Sequence, residues 1–130
     1  HDLPSTAGWI EGRDIAWRLG LHGSPADALL ATPQWRQRKA DAAHLDRALR
    51  AESLDTADPR MAALRFVACS PALLALLPTE DALGLREQPN LPGTTDSHPN
   101  WRRRLPEPLP AAVLDASLRA FAQARTEVAP

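Results

Sequence analysis

Six consecutive apolar residues, Ala72-Leu73-Leu74-Ala75-Leu76-Leu77, stand between Pro71 and Pro78 and constrain the fold of this chain more than any other segment. A run of strand length that does not alternate and is bounded by prolines suits a strand buried on both faces, as in a parallel sheet. Periodicity alone equally admits a buried helical turn. A single buried strand cannot make a sheet, and the remaining 130-residue sequence offers it no parallel neighbours. The expectation is that those neighbours lie in a missing N-terminal portion of the same polypeptide. His1-Asp2-Leu3-Pro4 carries no initiator methionine, in keeping with a chain that begins inside something longer or has been cut. No internal repeat is visible.

Helix signals dominate elsewhere. A capping side chain followed by proline, whose missing N–H costs nothing in the first turn, occurs at Ser24-Pro25, Thr32-Pro33 and Asp58-Pro59. The segment after Thr32 is predicted to run to about Ser53, with Trp35, Ala42, Leu45, Ala48 and Leu49 at helical spacing and arginines between them. The segment after Asp58 carries Met61, Leu64, Val67 and Ala68 on one face. It should end near Ser70-Pro71, because the residue before a proline is biased away from helix. Thr79-Glu80-Asp81 reads as a helix start, and a last helix is predicted from Pro110 to Glu127 with Leu114, Leu118 and Phe121 as its apolar stripe. The fold class that follows is mostly α within an α/β parent, one unit over residues 1–130.

Composition narrows the function classes. Hydrophobic residues make up 44% and charged residues 24%, with a formal net charge of -1, a balance that suggests neither a nucleic-acid partner nor a disordered tail. The longest apolar stretch, Phe66 to Pro78, is broken by Ser70 and Pro71 and is shorter than the ~20 residues of a membrane span, so no membrane partner is expected. The N-terminus lacks the basic region and long apolar core of a signal peptide. A single cysteine, Cys69, excludes an intrachain disulfide and a cysteine metal site, and fits a reducing, cytoplasmic setting. No cofactor is implied, and His22 and His44 have no partner at metal-ligand spacing.

Two segments look like chemistry. In His1-Asp2-Leu3-Pro4-Ser5, followed by Gly8-Trp9 and Gly12-Arg13-Asp14, a carboxylate stands beside a histidine and a rigid proline. It suits a sugar site, or else its first two residues are frayed termini. From Leu85 to Pro110 the chain is rich in proline, glycine, threonine and asparagine and too long for an idle connection. Within it, Gln88-Pro89-Asn90-Leu91-Pro92-Gly93-Thr94-Thr95-Asp96-Ser97-His98-Pro99-Asn100-Trp101-Arg102-Arg103-Arg104 offers amide and hydroxyl groups to a polyhydroxylated ligand, with Trp101 for stacking on a sugar face. The alternative is an ordered surface loop with Trp101 as a core anchor. Trp9, Trp17 and Trp35 read as packing residues, and Arg102 to Arg104 as anchors of the loop through salt bridges.

Taken in order, HDLPSTAGW, IEGRDIAWRLGL, ALLALLPTEDALGL and QPNLPGTTDSHPNWRRRL resemble the amylomaltase or 4-α-glucanotransferase family, a branch of the α-amylase superfamily of (β/α)8 barrels. The resemblance spans nearly the whole chain and departs at Ser5, where threonine is common. It implies the last β/α units of such a barrel, with Ala72–Leu77 as the eighth strand and catalytic groups at the C-terminal ends of strands. It also implies a retaining transfer of α-1,4-glucan between maltodextrins, through a carboxylate nucleophile and an acid/base carboxyl that this chain does not contain. The family's third carboxylate maps onto Asp2, whose implied role is to hold the hydroxyls of the sugar at the cleavage point. His1 would bind the same sugar, and Asn90 is carried over as a substrate contact, while Gly93 and Thr94 shape the loop. Alone, such a chain is expected to be inactive and to self-associate through uncovered apolar surface. The alternative is a non-catalytic helical module that binds α-glucan or a partner protein.

Overall fold

A computed structural model describes residues 2–24, 26–54 and 57–127. Among these residues the regular structure is helical: α1 (Thr6–Glu11), α2 (Arg13–Arg18), α3 (Ala26–Leu30), α4 (Pro33–Ala51), α5 (Pro59–Ala68), α6 (Thr79–Leu83) and α7 (Ala111–Glu127). The signals read from the sequence act as stated where they are described. Thr32 caps α4 by accepting the Trp35 N–H, and Asp58 caps α5 by accepting those of Arg60 and Met61 at 3.0 and 3.3 Å. Pro33 and Pro59 occupy the first helical positions, where no N–H is needed. Ser24-Pro25 falls partly outside the described residues, since Pro25 is not among them.

The expected strand at Ala72–Leu77 is not formed: among the described residues there is no strand, and this segment runs as irregular chain with Leu73, Leu74 and Leu76 exposed. The physical reason is the one that made the segment conspicuous. A strand exists only through ladder hydrogen bonds to a neighbour, and no extended neighbour lies beside it here. Its start is held instead by Arg125 of α7, which donates to the carbonyls of Ala68, Ser70 and Ala72.

Packing follows small residues more than the large apolar ones expected. α5 lies against α7 and α4, and α7 also packs on α6. Ala68 at 0% and Ala124 at 1% exposure let the α5 and α7 backbones approach closely, with the Cys69 thiol directed at the Ala124 carbonyl. Two expected core residues are displaced by this geometry: Val67 of α5 and Leu118 of α7 are exposed, and Ser117 takes the buried place on α7. On α4 the expected stripe holds, with Leu45 and buried Leu49 meeting Leu54 and Ala62. No helix among the described residues is long and apolar enough to cross a membrane.

Close approaches tie the N-terminal segment to the long loop that follows α6, to α4 and to α6 itself. Gly8 of α1 lies so near the Arg86 backbone that a Cβ there would stand 2.1 Å from the carbonyl oxygen, so only glycine fits. Gly12 ends α1 at φ +71°, and a Cβ on it would meet the Trp35 ring at 2.6 Å, so conformation and space both require glycine. Asp81, buried in α6, accepts the Thr6 N–H at 2.5 Å, tying α6 to the first turn of α1.

Glu87 then fastens the loop to α2. Its carboxylate accepts from Arg13 Nε at 2.5 Å and from Trp17 Nε1 at 2.7 Å, and pairs with Arg103 at 3.5 Å. Burial works to raise its pKa, but the hydrogen bonds from Trp17 and Arg13 and the charges of Arg13 and Arg103 outweigh that, and the carboxyl titrates below its ordinary value.

Two outcomes are expected from this fold. Asp58→Ala removes both caps of α5 and should lower stability by about 1 kcal/mol, seen as a lower urea midpoint at unchanged slope. An unchanged midpoint would show that the α5 start is held by something else. For Glu87, a folded-state pKa below the unfolded one gives stability that is present above the ordinary value of 4.5 and is lost as pH falls through the depressed folded value. Glu87→Gln should therefore be less stable than the parent at neutral pH, and the gap should close as pH falls below 4.5; a gap constant with pH would rule this out.

Candidate functional site

Asp2 and Asn90, 88 positions apart, meet: the Asn90 side-chain amide donates to Asp2 Oδ1 at 2.7 Å. Asp2 is exposed and Asn90 half-buried, so the pair lies at the surface rather than in the core. His1, expected beside them, lies outside the described residues. The N-terminal side of the pair is set by Ser5, whose buried hydroxyl accepts the Gly8 N–H at 3.1 Å and fixes where α1 begins. Asp2, Leu3 and Pro4 enter from that cap, so the start of α1 determines where the Asp2 carboxylate stands.

The other side of the pair is a loop without helix or strand from Leu85 to Pro110. Gly84 ends α6 at φ +67° and turns the chain into it. Such a segment owes its shape to side chains bonded to backbone, and Asn100 is the centre of these contacts. Its Oδ1 accepts the Leu91 N–H at 2.9 Å, and its amide nitrogen donates to Thr94 O at 2.9 Å and to Thr94 Oγ1 at 3.0 Å. The Thr94 hydroxyl donates in turn to Leu91 O at 2.7 Å. At the base of the loop the Trp101 N–H donates to Pro89 O at 2.9 Å, and buried Gln88 donates through its side chain to Asn90 O. Thr94 thus shapes the loop, as expected of it, and so does Gly93 through its φ of +81°.

His98 closes the same cluster. It is 2% exposed, lies edge-on to Trp17 with ring centroids 4.7 Å apart, and has Nδ1 2.9 Å from Asn100 Oδ1. The Leu91 N–H can only donate and the Thr94 carbonyl can only accept, so the orientation of the Asn100 amide is fixed by its partners. Asn100 Oδ1 therefore faces His98, and His98 Nδ1 must carry a proton. In neutral His98 the lone pair on Nε2 is then buried with no hydrogen-bond partner.

Trp101 is not a core anchor. It is 63% exposed, in the left-handed region at φ +59°, an unfavourable conformation for a bulky residue that is held by its own N–H bond to Pro89. Beside it a cavity of about 640 Å³ is bounded by Leu3 and Pro4 on one side, Pro78 and Pro89 on another, and Arg103. Its lining includes Leu3 and Pro89, the chain neighbours of Asp2 and Asn90. Of the three arginines expected to anchor the loop, Arg103 does so through Glu87 and over the Trp17 ring at 5.7 Å, whereas Arg102 and Arg104 are exposed.

Trp17 stacks on exposed His22 at 4.0 Å, and Trp9 carries Arg38 over its ring at 4.6 Å, with Arg38 in turn paired in two hydrogen bonds to Asp14. Both indoles pack, as expected. No group of three potential metal-ligating side chains occurs among the described residues. Sequence reasoning missed Asn100, His98, Gln88 and Glu87. Each acts across a turn or between distant segments, and nothing in local periodicity marks such a role.

A surface carboxylate held by a carboxamide, beside an open cavity edged by an indole and a guanidinium, is suited to hydrogen-bond sugar hydroxyls and to stack on a ring face. A family model described as 4-alpha-glucanotransferase matches residues 1–110. The chain is 38% identical over 113 residues to proteins named 4-alpha-glucanotransferase from Mycobacterium bovis and from Mycobacterium tuberculosis, an alignment that covers 83% of this chain and 16% of each relative. No solved structure matches. With most of its length matched by that family and the matched stretch holding both Asp2 and Asn90, this chain belongs to the 4-alpha-glucanotransferase family.

Proposed function

We propose that this chain supplies part of the glucan site of an enzyme that transfers α-1,4-glucan segments between maltodextrins by retaining double displacement, and that its parent fold is a (β/α)8 barrel. The observation that carries this reading is the 2.7 Å bond from Asn90 to Asp2, which joins the two residues that the family resemblance assigns to the sugar. Asp2 is the carboxylate that holds hydroxyls of the sugar at the cleavage point. Its hydrogen bonds strengthen as the ring flattens toward an oxocarbenium-like transition state, so its contribution falls on the chemical step more than on binding. Asn90 orients that carboxylate and donates to the same sugar. The nucleophile and the acid/base are supplied from outside these 130 residues. The exposed leucines of the Ala72–Leu77 segment support the barrel reading, because a strand buried on both faces would cover them.

The test uses the complete gene product, whose intact mass should be several times the 14.1 kDa of this chain. Asp2→Asn keeps the shape of the side chain and removes its charge. It is expected to lower kcat for disproportionation of maltotriose by about 10²–10³-fold with a smaller effect on KM. The 130-residue chain alone should release no glucose from maltotriose. Wild-type kcat in Asp2→Asn, or turnover by the chain alone, would overturn the assignment. Saturable maltooligosaccharide binding by a gene product that never turns over would favour a non-catalytic glucan-binding module instead.

A further inference from the structure

We propose that Asn100 is a positioning residue for the glucan site, acting through Asn90; the inference rests on the reading of Asp2 and Asn90 given above. The direction in which a side chain leaves the backbone is set by the two peptide planes that flank its Cα. For Asn90 both planes are pinned. The preceding plane is held at its carbonyl, where Pro89 O accepts the Trp101 N–H at 2.9 Å. The following plane is held at both ends: Gln88 donates to Asn90 O, and the Leu91 N–H donates to Asn100 Oδ1 at 2.9 Å. With both planes fixed, the Asn90 Cα–Cβ direction is fixed too, and only side-chain rotation remains to be set by Asp2.

Asn100 holds this arrangement because it is itself fully engaged. Both of its amide contacts go to Thr94, across a turn from Leu91, and its oxygen is shared between the Leu91 N–H and His98 Nδ1. His98 is packed against Trp17, which Glu87 holds through the indole nitrogen at 2.7 Å. A continuous line of contacts therefore runs from α2 through Trp17, His98 and Asn100 to the peptide that aims Asn90. Their effect is on where the Asn90 amide stands, and a displacement of about 1 Å in such a group is enough to cost up to 10²-fold in rate.

Two variants and two readouts test this. Asn100→Leu keeps the bulk and loses every polar contact, whereas Asn100→Asp keeps the acceptor for Leu91 and His98, replaces the donors to Thr94 by a second acceptor and adds a negative charge. In NMR spectra of this chain the Leu91 amide should exchange slowly, and one Asn90 side-chain amide proton should be shifted by its bond to Asp2. Asn100→Leu should abolish both signatures and Asn100→Asp should retain them, with helical content by circular dichroism unchanged. Nitrogen shifts of neutral His98 should place its proton on Nδ1 in the parent chain. In the complete gene product, Asn100→Leu should lower kcat/KM roughly tenfold to a hundredfold, mainly through kcat, and Asn90→Ala combined with Asn100→Leu should be no worse than Asn90→Ala alone. Retention of the Asn90 and Leu91 signatures in Asn100→Leu, or additive losses in the double variant, would overturn the proposal. Wild-type activity in Asn90→Ala would overturn the glucan reading instead, and the NMR comparison would still decide whether Asn100 aims Asn90.

Discussion

The Glu87 carboxylate is the interaction on which the arrangement of this chain turns. It is a half-buried acid, which is unfavourable by itself, and it is tolerated because Arg13, Trp17 and Arg103 all direct donors or positive charge at it. Arg13 and Trp17 lie one helical turn apart on α2, while Arg103 comes from the far end of the long loop. The carboxylate therefore gathers both ends of the loop, its own residue near the start and Arg103 near the finish, onto one helix. Without it, a 26-residue stretch (85–110) lacking helix and strand would have little to fix its path.

Once the loop is fastened, the remaining precision comes from neutral hydrogen bonds. Asn100 and Thr94 satisfy backbone groups that no ladder or helix would satisfy, and those bonds are individually modest. Their effect is geometric: together with the Gln88 side chain and the Trp101 N–H, the Asn100 acceptor fixes the two peptide planes around Asn90. The other half of the pair is positioned by independent means, the Ser5 cap, the Thr6–Asp81 bond and the Gly8–Arg86 approach. The Asp2 half is thereby tied to α6 and the chain just after it, through Asp81 and Arg86, and that same chain leads on to Asn90.

The degree to which this was legible in the sequence depends on the range of the interaction. Caps at Thr32 and Asp58 and the α4 stripe are local, and spacing alone locates them. Asp2 and Asn90 were found through their motifs, and the fold places them in contact. On α7 spacing finds a face but not its partner: Leu114 and Phe121 are partly buried as expected, whereas Ser117 takes the buried place and Leu118 is left outside. Asn100, His98 and Glu87 were passed over for the same reason. A partly or wholly buried amide, imidazole or carboxylate is defined by the groups that meet it, and those come from residues 2 to 81 positions away.

The Ala72–Leu77 segment is the sharpest case of the difference between what a sequence prefers and what a given set of neighbours permits. Its composition asks for burial on both faces, yet Leu73 stands fully exposed, and what restrains the segment is an arginine bonded to its backbone at one end. Burying three leucine side chains is worth several kcal/mol, so an apolar run left in this state stores a strong preference for whatever surface can cover it. The chain spans only 16% of its mycobacterial relatives. A segment that is exposed here and adjoins α6 is then a place where additional structure would act on the site: a neighbour pairing with residues 72–77 would fix Pro78 and α6, and through the Asp81–Thr6 bond the segment that carries Asp2.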